Sequence, residues 1–137
     1  MKKKKKAKEL FYKMVKDNGS DPYSLLTHMP KVEKWTEFLI SKHPEADNET
    51  TLLGMWLHDI GHYPILREDH AVTGELNAKK FLQKQNLDGE KIEKVIKCVR
   101  RHRNKDISPE SIEEKIIAFF FFFSHMTDIM YIDMFTQ

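Results

Sequence analysis

The 137-residue chain fits one domain with a real hydrophobic core, because a chain of this size buries roughly two thirds of its unfolded surface. Its five glycines and five prolines are too few for a loop-rich or turn-rich design, and its single cysteine, Cys98, excludes an intrachain disulfide. The net charge of +2 is unevenly distributed, since the five lysines at residues 2–6 leave the rest of the chain mildly acidic.

The lysine run Lys2–Lys6 resembles the charged start of a signal peptide, but residues 7–13 are not an apolar stretch of secretory length. No segment approaches the roughly 20 apolar residues that a membrane-spanning helix needs. We therefore expect a soluble, cytoplasmic protein with a solvated, partly disordered basic tail and no membrane partner. Nucleic-acid binding through this tail is the less favoured interpretation, and we expect no such partner.

Helical periodicity runs through nearly the whole chain, and no segment alternates as a strand does. We predict helices over residues 7–17, 21–43 with a break or bend at Pro30, 48–61, 70–85, 88–103 and 108–134. Ser108 is the predicted N-cap of the last helix, with Pro109 in its first turn. The prediction is an all-α, compact single-domain bundle of five or six helices. Residues 1–20 form a basic tail and leading helix, and residues 21–137 form the main helical domain.

The predicted third helix carries the most informative residues. Its apolar positions fall on one face of a helix: Leu53, Trp56, Leu57 and Ile60. His58 and Asp59 lie off that face, so we expect them to point towards another feature of the fold. An imidazole and a carboxylate are both common metal ligands.

Three further histidines, His28, His70 and His102, lie near the ends of predicted helices, where ligands from separate helices can converge. Taken singly, each histidine has an ordinary explanation, and His43 beside a proline is expected to be a surface residue. His58 and His62 are four residues apart and offer an alternative zinc pair, although Gly61 between them weakens a helical arrangement. Ordinary surface or core positions explain the whole set less easily than they explain any one of these residues.

This ordered set resembles the HD superfamily of metal-dependent phosphohydrolases over most of the chain, from about Tyr23 to Asp133. The phrases that carry the resemblance are Leu26-Thr27-His28-Met29, Leu57-His58-Asp59-Ile60-Gly61-His62, His70-Ala71-Val72-Thr73-Gly74 and the basic segment around His102. The resemblance implies an all-α HD-type domain that uses one or two divalent metal ions. It leaves the metal open among Mn, Fe, Co, Ni, Zn and Mg.

The resemblance also implies roles for individual residues. His28, His58 and Asp59 are expected to bind a first metal, with Asp59 bridging to a second that His70 and His102 hold. Asp59 and His62 are the expected catalytic residues, and the imidazole of His62 can contact phosphate or move a proton. Two metal ions would activate a bridging water for attack on phosphorus.

Basic side chains near these segments are candidates to neutralise the remaining phosphate charge, with ordinary surface charge as an equal alternative. They are Arg67, Arg101 and Arg103.

The chain departs from the family pattern near its C-terminus. The family places a final metal-binding aspartate after a phrase like Ile-Ile-Ala-x-Ala, but here Phe121 stands in that position within the run Phe119–Phe123. Phenylalanine cannot ligate a metal, and Asp128 or His125 would replace the aspartate only through a shifted or altered site.

The sequence therefore leaves two functions open. The first is hydrolysis of a phosphate ester, expected to be a nucleotide or a similar small molecule. The alternative is a catalytically weak or inactive HD-like domain that binds metal, nucleotide or a partner protein.

Overall fold

The structure, a computed structural model, describes residues 2–19, 25–58, 60, 70–102 and 107–124. These residues form six helices and contain no strand, which confirms the all-α prediction. The helices are α1 (Lys2–Asn18), α2 (Leu25–Lys42), α3 (Asn48–Leu57), α4 (His70–Gln83), α5 (Gly89–Arg101) and α6 (Ile112–Ser124). The predicted division of the chain after residue 20, and the predicted end of the last helix near Met134, lie outside the described residues.

The lysine run is helical, so the prediction of a partly disordered tail was wrong. Helix α1 begins at Lys2 and ends at Asn18, followed by Gly19 with a positive φ of 82°. Its apolar side packs on α3 through Phe11 and Trp56, whose ring centroids lie 5.8 Å apart. This packing stabilises the whole helix, including its lysine-rich first turns, because helix stability in proteins comes mainly from packing of the apolar face.

Helix α2 runs without interruption through Pro30, so of the predicted break or bend the break is wrong and the bend stays a prediction. Proline removes one backbone hydrogen bond and its ring crowds the carbonyl four residues earlier, and here it does so in the second turn of the helix. Met29 and Val32 on either side of it are buried in the core. The free energy gained by burying these two side chains offsets the loss of the backbone hydrogen bond.

Helix α3 is the central element of the bundle. Asp47 caps its N-terminus by accepting a hydrogen bond from the Thr50 backbone N–H at 2.9 Å, close to the start predicted at Asn48. All residues from Thr50 to Leu57 are buried, because α1, α2, α5 and α6 all pack against this helix. The predicted single apolar face therefore understated its burial.

Helix α5 is amphipathic and packs on α3, α4 and α6. Asp88 caps it, accepting from the Lys91 backbone N–H at 2.8 Å, so the helix begins close to the predicted start at residue 88. The Lys91 ammonium then reaches back to the start of α3, 2.9 Å from Glu49 and 3.2 Å from Asp47. The N-terminal ends of α3 and α5 are therefore side by side.

Helix α6 begins later than predicted. Ser111, not Ser108, accepts a hydrogen bond from the Glu114 backbone N–H at 3.1 Å. The Glu114 carboxylate accepts in return from the Ser111 backbone N–H at 3.2 Å. This reciprocal pair is a capping box, which satisfies two helix-end donors at once and fixes the start of the helix at Ile112.

No helix among the described residues is both long enough and apolar enough to cross a membrane.

Candidate metal centre

Two of the predicted metal ligands, His58 and His102, lie against each other. Their ring centroids are 5.0 Å apart and the ring planes meet at 69°. His58 directly follows α3 and His102 directly follows α5, so each caps the C-terminal end of its helix. Both are buried, at 3% and 0% exposure, although they are 44 positions apart in the chain. The structure therefore brings together two histidines that the sequence could only place on separate helices.

The backbone fixes the tautomer of both rings. His58 Nδ1 donates to the Met55 carbonyl, and His102 Nδ1 donates to the Val99 carbonyl at 2.5 Å. A carbonyl oxygen can only accept, so each neutral ring carries its proton on Nδ1 and its lone pair on Nε2. Metal-binding histidines are held in the same way, by a hydrogen bond from the second ring nitrogen.

These hydrogen bonds exist because the helices end where they do. The last carbonyls of an α-helix have no partner inside the helix. A histidine at the C-cap can turn its ring back onto the carbonyl three residues earlier, as His58 and His102 both do. The same hydrogen-bond geometry therefore occurs at both helix ends, and it places the two imidazole rings beside each other.

The close approach of α3 and α5 one turn earlier sets the distance between the rings. Gly54, four residues before His58, has no side chain, and a β-carbon there would lie 2.9 Å from Cys98 Cβ. Cys98 is likewise four residues before His102. Neither the glycine nor this register was anticipated from the sequence.

Cys98 is an unsuitable ligand despite its position. It is fully buried, and burial raises the pKa of its thiol far above the ordinary value. A metal binds the thiolate, so a thiol kept protonated by burial acts as a small apolar core residue.

The other expected ligands are less completely described. His28 is half-buried on α2, which packs on α3, and His70 is the first residue of α4, with a side chain that lies outside the description. The expected catalytic residues Asp59 and His62 also lie outside the described residues. Within the described part of the chain, no group of three or more His, Cys, Asp or Glu side chains is arranged to hold a metal. The roles of His28, Asp59, His62 and His70 stay predictions.

Arg101, a candidate phosphate contact, instead joins two helices near the histidine pair. Its guanidinium lies 2.9 Å from Glu114 and 3.4 Å from Glu110. Burial alone would raise the pKa of Glu114, but hydrogen bonds within the Ser111 cap and the Arg101 guanidinium outweigh it and hold that pKa below its usual value. Arg67 and Arg103 lie outside the described residues.

The phenylalanine run continues α6 to Ser124, and Phe119 packs against the core. The backbone at Phe121 is therefore helical, while the side chains from Phe120 to Ser124 lie outside the description. The possible replacements His125 and Asp128 lie there too.

Comparison with known proteins gives the same family as the sequence motifs. A family model described as the HD domain matches residues 25–120. The chain is also 32% identical over 88 residues to a tRNA (cytidine(56)-2'-O)-methyltransferase of Picrophilus torridus. That alignment covers 53% of this chain and 24% of the relative, so the chain spans about a quarter of the relative's length. No solved structure matches the chain significantly.

Proposed function

We propose, because this chain belongs to the HD-domain family, that it hydrolyses a phosphate ester with the help of one or two divalent metal ions. The observation that carries the proposal is the buried His58–His102 pair, in which both Nδ1 atoms are engaged by backbone carbonyls. This donor set suits a transition metal, since neutral imidazole is a common ligand for such ions.

Different residues of the chain would bind the metal and contact the phosphate. His58 and His102 would offer Nε2 to metal, and their buried position excludes water and keeps the rings fixed before the metal arrives. His28, Asp59 and His70 would complete the ligand set, and His62 would contact the phosphate or carry a proton. A bound divalent ion supplies charge neutralisation at phosphate oxygens and lowers the pKa of a bound water.

A nucleotide or a similar small phosphate ester is the substrate class that we propose. The relative in Picrophilus torridus is named for an activity on tRNA, which is built of nucleotides. Because the chain corresponds to only a quarter of that protein, methyl transfer is not part of the proposal.

A second candidate function is binding without turnover. On the resemblance described above, Phe121 takes the place of a metal-binding aspartate, and the first metal would then lose a carboxylate. A site with fewer charged ligands holds metal less tightly and activates water less strongly. Such a domain would bind metal, nucleotide or a partner protein.

Metal analysis combined with phosphate release separates the two functions. The purified chain would be loaded in turn with Mn, Fe, Co, Ni, Zn or Mg and assayed against nucleoside phosphates and a phosphodiester. Hydrolysis that disappears in Asp59→Ala and His102→Gln, but persists in the half-buried surface variant His43→Gln, supports the hydrolase. Retained metal without any product supports the binding domain. A chain that holds no metal, and loses nothing in Asp59→Ala, excludes the hydrolase and the metal-binding form of the second function.

A further inference from the structure

The outer face of α2 forms a basic, aromatic groove that belongs to no part of the proposed metal centre. Its cavity of about 330 Å³ is lined by Lys31, Lys34, Trp35 and Phe38. The two rings meet nearly at right angles, 85°, with centroids 5.9 Å apart, and Phe38 is 45% exposed.

The lysines and the glutamates of α2 lie on different sides of the helix. At 100° per residue, Lys31, Lys34, Trp35, Phe38 and Lys42 fall within about one third of the helix circumference. The glutamates of the helix, Glu33 and Glu37, lie on another side and face α1, where Lys4 pairs with them at 3.0 and 4.0 Å. The groove is therefore positive as well as aromatic, and the two glutamates of α2 lie away from it.

Lysines also sit at both ends of the aromatic surface. The Lys42 ammonium lies 5.5 Å from the centre of the Phe38 ring, and Lys31 and Lys34 line the opposite end. Lys31 and Lys42 are eleven residues apart, which corresponds to about 16 Å along the helix. At the stacked spacing of about 3.4 Å per nucleotide, that length matches four or five nucleotides.

Helix α1 also carries exposed lysines. Because Lys4 contacts Glu33, the start of α1 lies beside the same stretch of α2. Lys5 and Lys6 in that part of α1 are exposed. These lysines lie on the side of α2 that carries Glu33 and Glu37, and so are separate from the groove.

We infer that the α2 groove binds single-stranded nucleic acid. Lysines neutralise its backbone phosphates, and the exposed ring of Phe38 stacks on a base, the combination that sequence-independent single-strand binding uses. An acidic peptide would satisfy the lysines but would leave the exposed Phe38 ring without a planar group to stack on it. The expectation from sequence considered only the lysine run, whereas this surface is on α2.

The test is a fluorescence anisotropy titration of a labelled single-stranded RNA 12-mer, performed in EDTA so that the metal centre does not contribute. Phe38→Ala is expected to weaken binding by about fivefold or more, since loss of one stacked base has an effect of that order. Lys31→Gln/Lys34→Gln is expected to reduce the slope of log K against log salt by about 1.4, the value for two phosphate contacts on a single strand.

The matched control is Lys94→Gln/Lys97→Gln on α5, where two exposed lysines have the same spacing. It should leave affinity and salt slope unchanged, and circular dichroism should show all variants folded. Competition by a glutamate 12-mer or by anionic vesicles as effective as the RNA would overturn the inference in favour of those partners. Unchanged affinity in Phe38→Ala, or loss of binding only in Lys5→Gln/Lys6→Gln, would also overturn it.

Discussion

Gly54 of α3 and Cys98 of α5 meet so closely that a β-carbon on the glycine would lie 2.9 Å from the cysteine β-carbon. The same added atom would lie 2.6 Å from Cδ1 of Ile117 on α6. One turn further along each helix come His58 and His102, whose rings are in contact. The glycine therefore sets the separation of the two helix ends that carry the candidate ligands.

We predict that Gly54→Ala destabilises the protein by about 1–3 kcal/mol, the usual cost of overpacking a filled core. The Ile117 methyl can rotate aside, but Cys98 Cβ is attached directly to the backbone, so α3 and α5 must separate. The separation would also loosen the histidine pair. Urea unfolding measures the first effect, and metal titration by calorimetry measures the second.

Gly89→Ala is the matched control for this variant. Gly89 is the first residue of α5, and a β-carbon there would meet nothing within 4 Å. Alanine favours a helix more than glycine does, so the free energy of unfolding should stay the same or rise by a few tenths of a kcal/mol. Equal destabilisation by both alanine substitutions would contradict the close-contact explanation.

The sequence predicted those features that depend on local chemistry. The caps at Asp47 and Asp88 begin α3 and α5 near where the residue pattern indicated, because a capping side chain acts within three residues of its own position. The family resemblance, and not their spacing, grouped His58 with His102; the structure places their rings side by side, and their role as metal ligands stays a prediction. A separation of 44 residues contains no information on contact by itself.

Features that depend on tertiary packing were missed. Burial of α3 on all sides follows from four neighbouring helices, which the pattern of one helix does not reveal. The role of Gly54 depends on what lies opposite it. The sequence contains two possible N-caps for α6, Ser108 followed by Pro109 and Ser111 followed by Glu114. The structure uses the second, and Glu114 also forms an ion pair with Arg101, which lies far from it in the sequence pattern.

Glu114 makes stability depend on pH. Its pKa is lowered in the folded protein, so its contribution is fully present above the unfolded value and is lost as pH falls through the folded pKa. Between pH 7 and pH 3 the urea midpoint should therefore fall more steeply in the native chain than in Glu114→Gln. The variant itself should lose about 1–3 kcal/mol at pH 7, because it leaves Arg101 with a weaker acceptor. The exposed residue Glu90 provides the control Glu90→Gln, which should change neither quantity measurably.

Metal binding should stabilise the fold through the histidine pair. A ligand that binds only the folded state at 100 times its Kd adds about 2.7 kcal/mol, which thermal unfolding detects easily. We expect the best-binding metal to raise the Tm of the native chain and of His43→Gln, and to have a much smaller effect on His58→Gln and His102→Gln. An equal rise in all four proteins would place the bound metal elsewhere on the chain.

Restoring the family's last ligand tests how far Phe121 limits the site. If residue 121 occupies the position of the missing aspartate, Phe121→Asp adds a carboxylate to the metal ligands, and metal affinity should rise by tenfold or more, equivalent to about 1.4 kcal/mol. Phosphate release should rise with it. Phe122→Asp is the matched control, because the next residue in a helix points about 100° away and its carboxylate would miss the metal. Calorimetric titration of both variants with the same ion measures the difference. A gain in both variants, or in neither, would mean that residue 121 does not face the histidine pair, and the departure from the family pattern would then have no bearing on the metal centre.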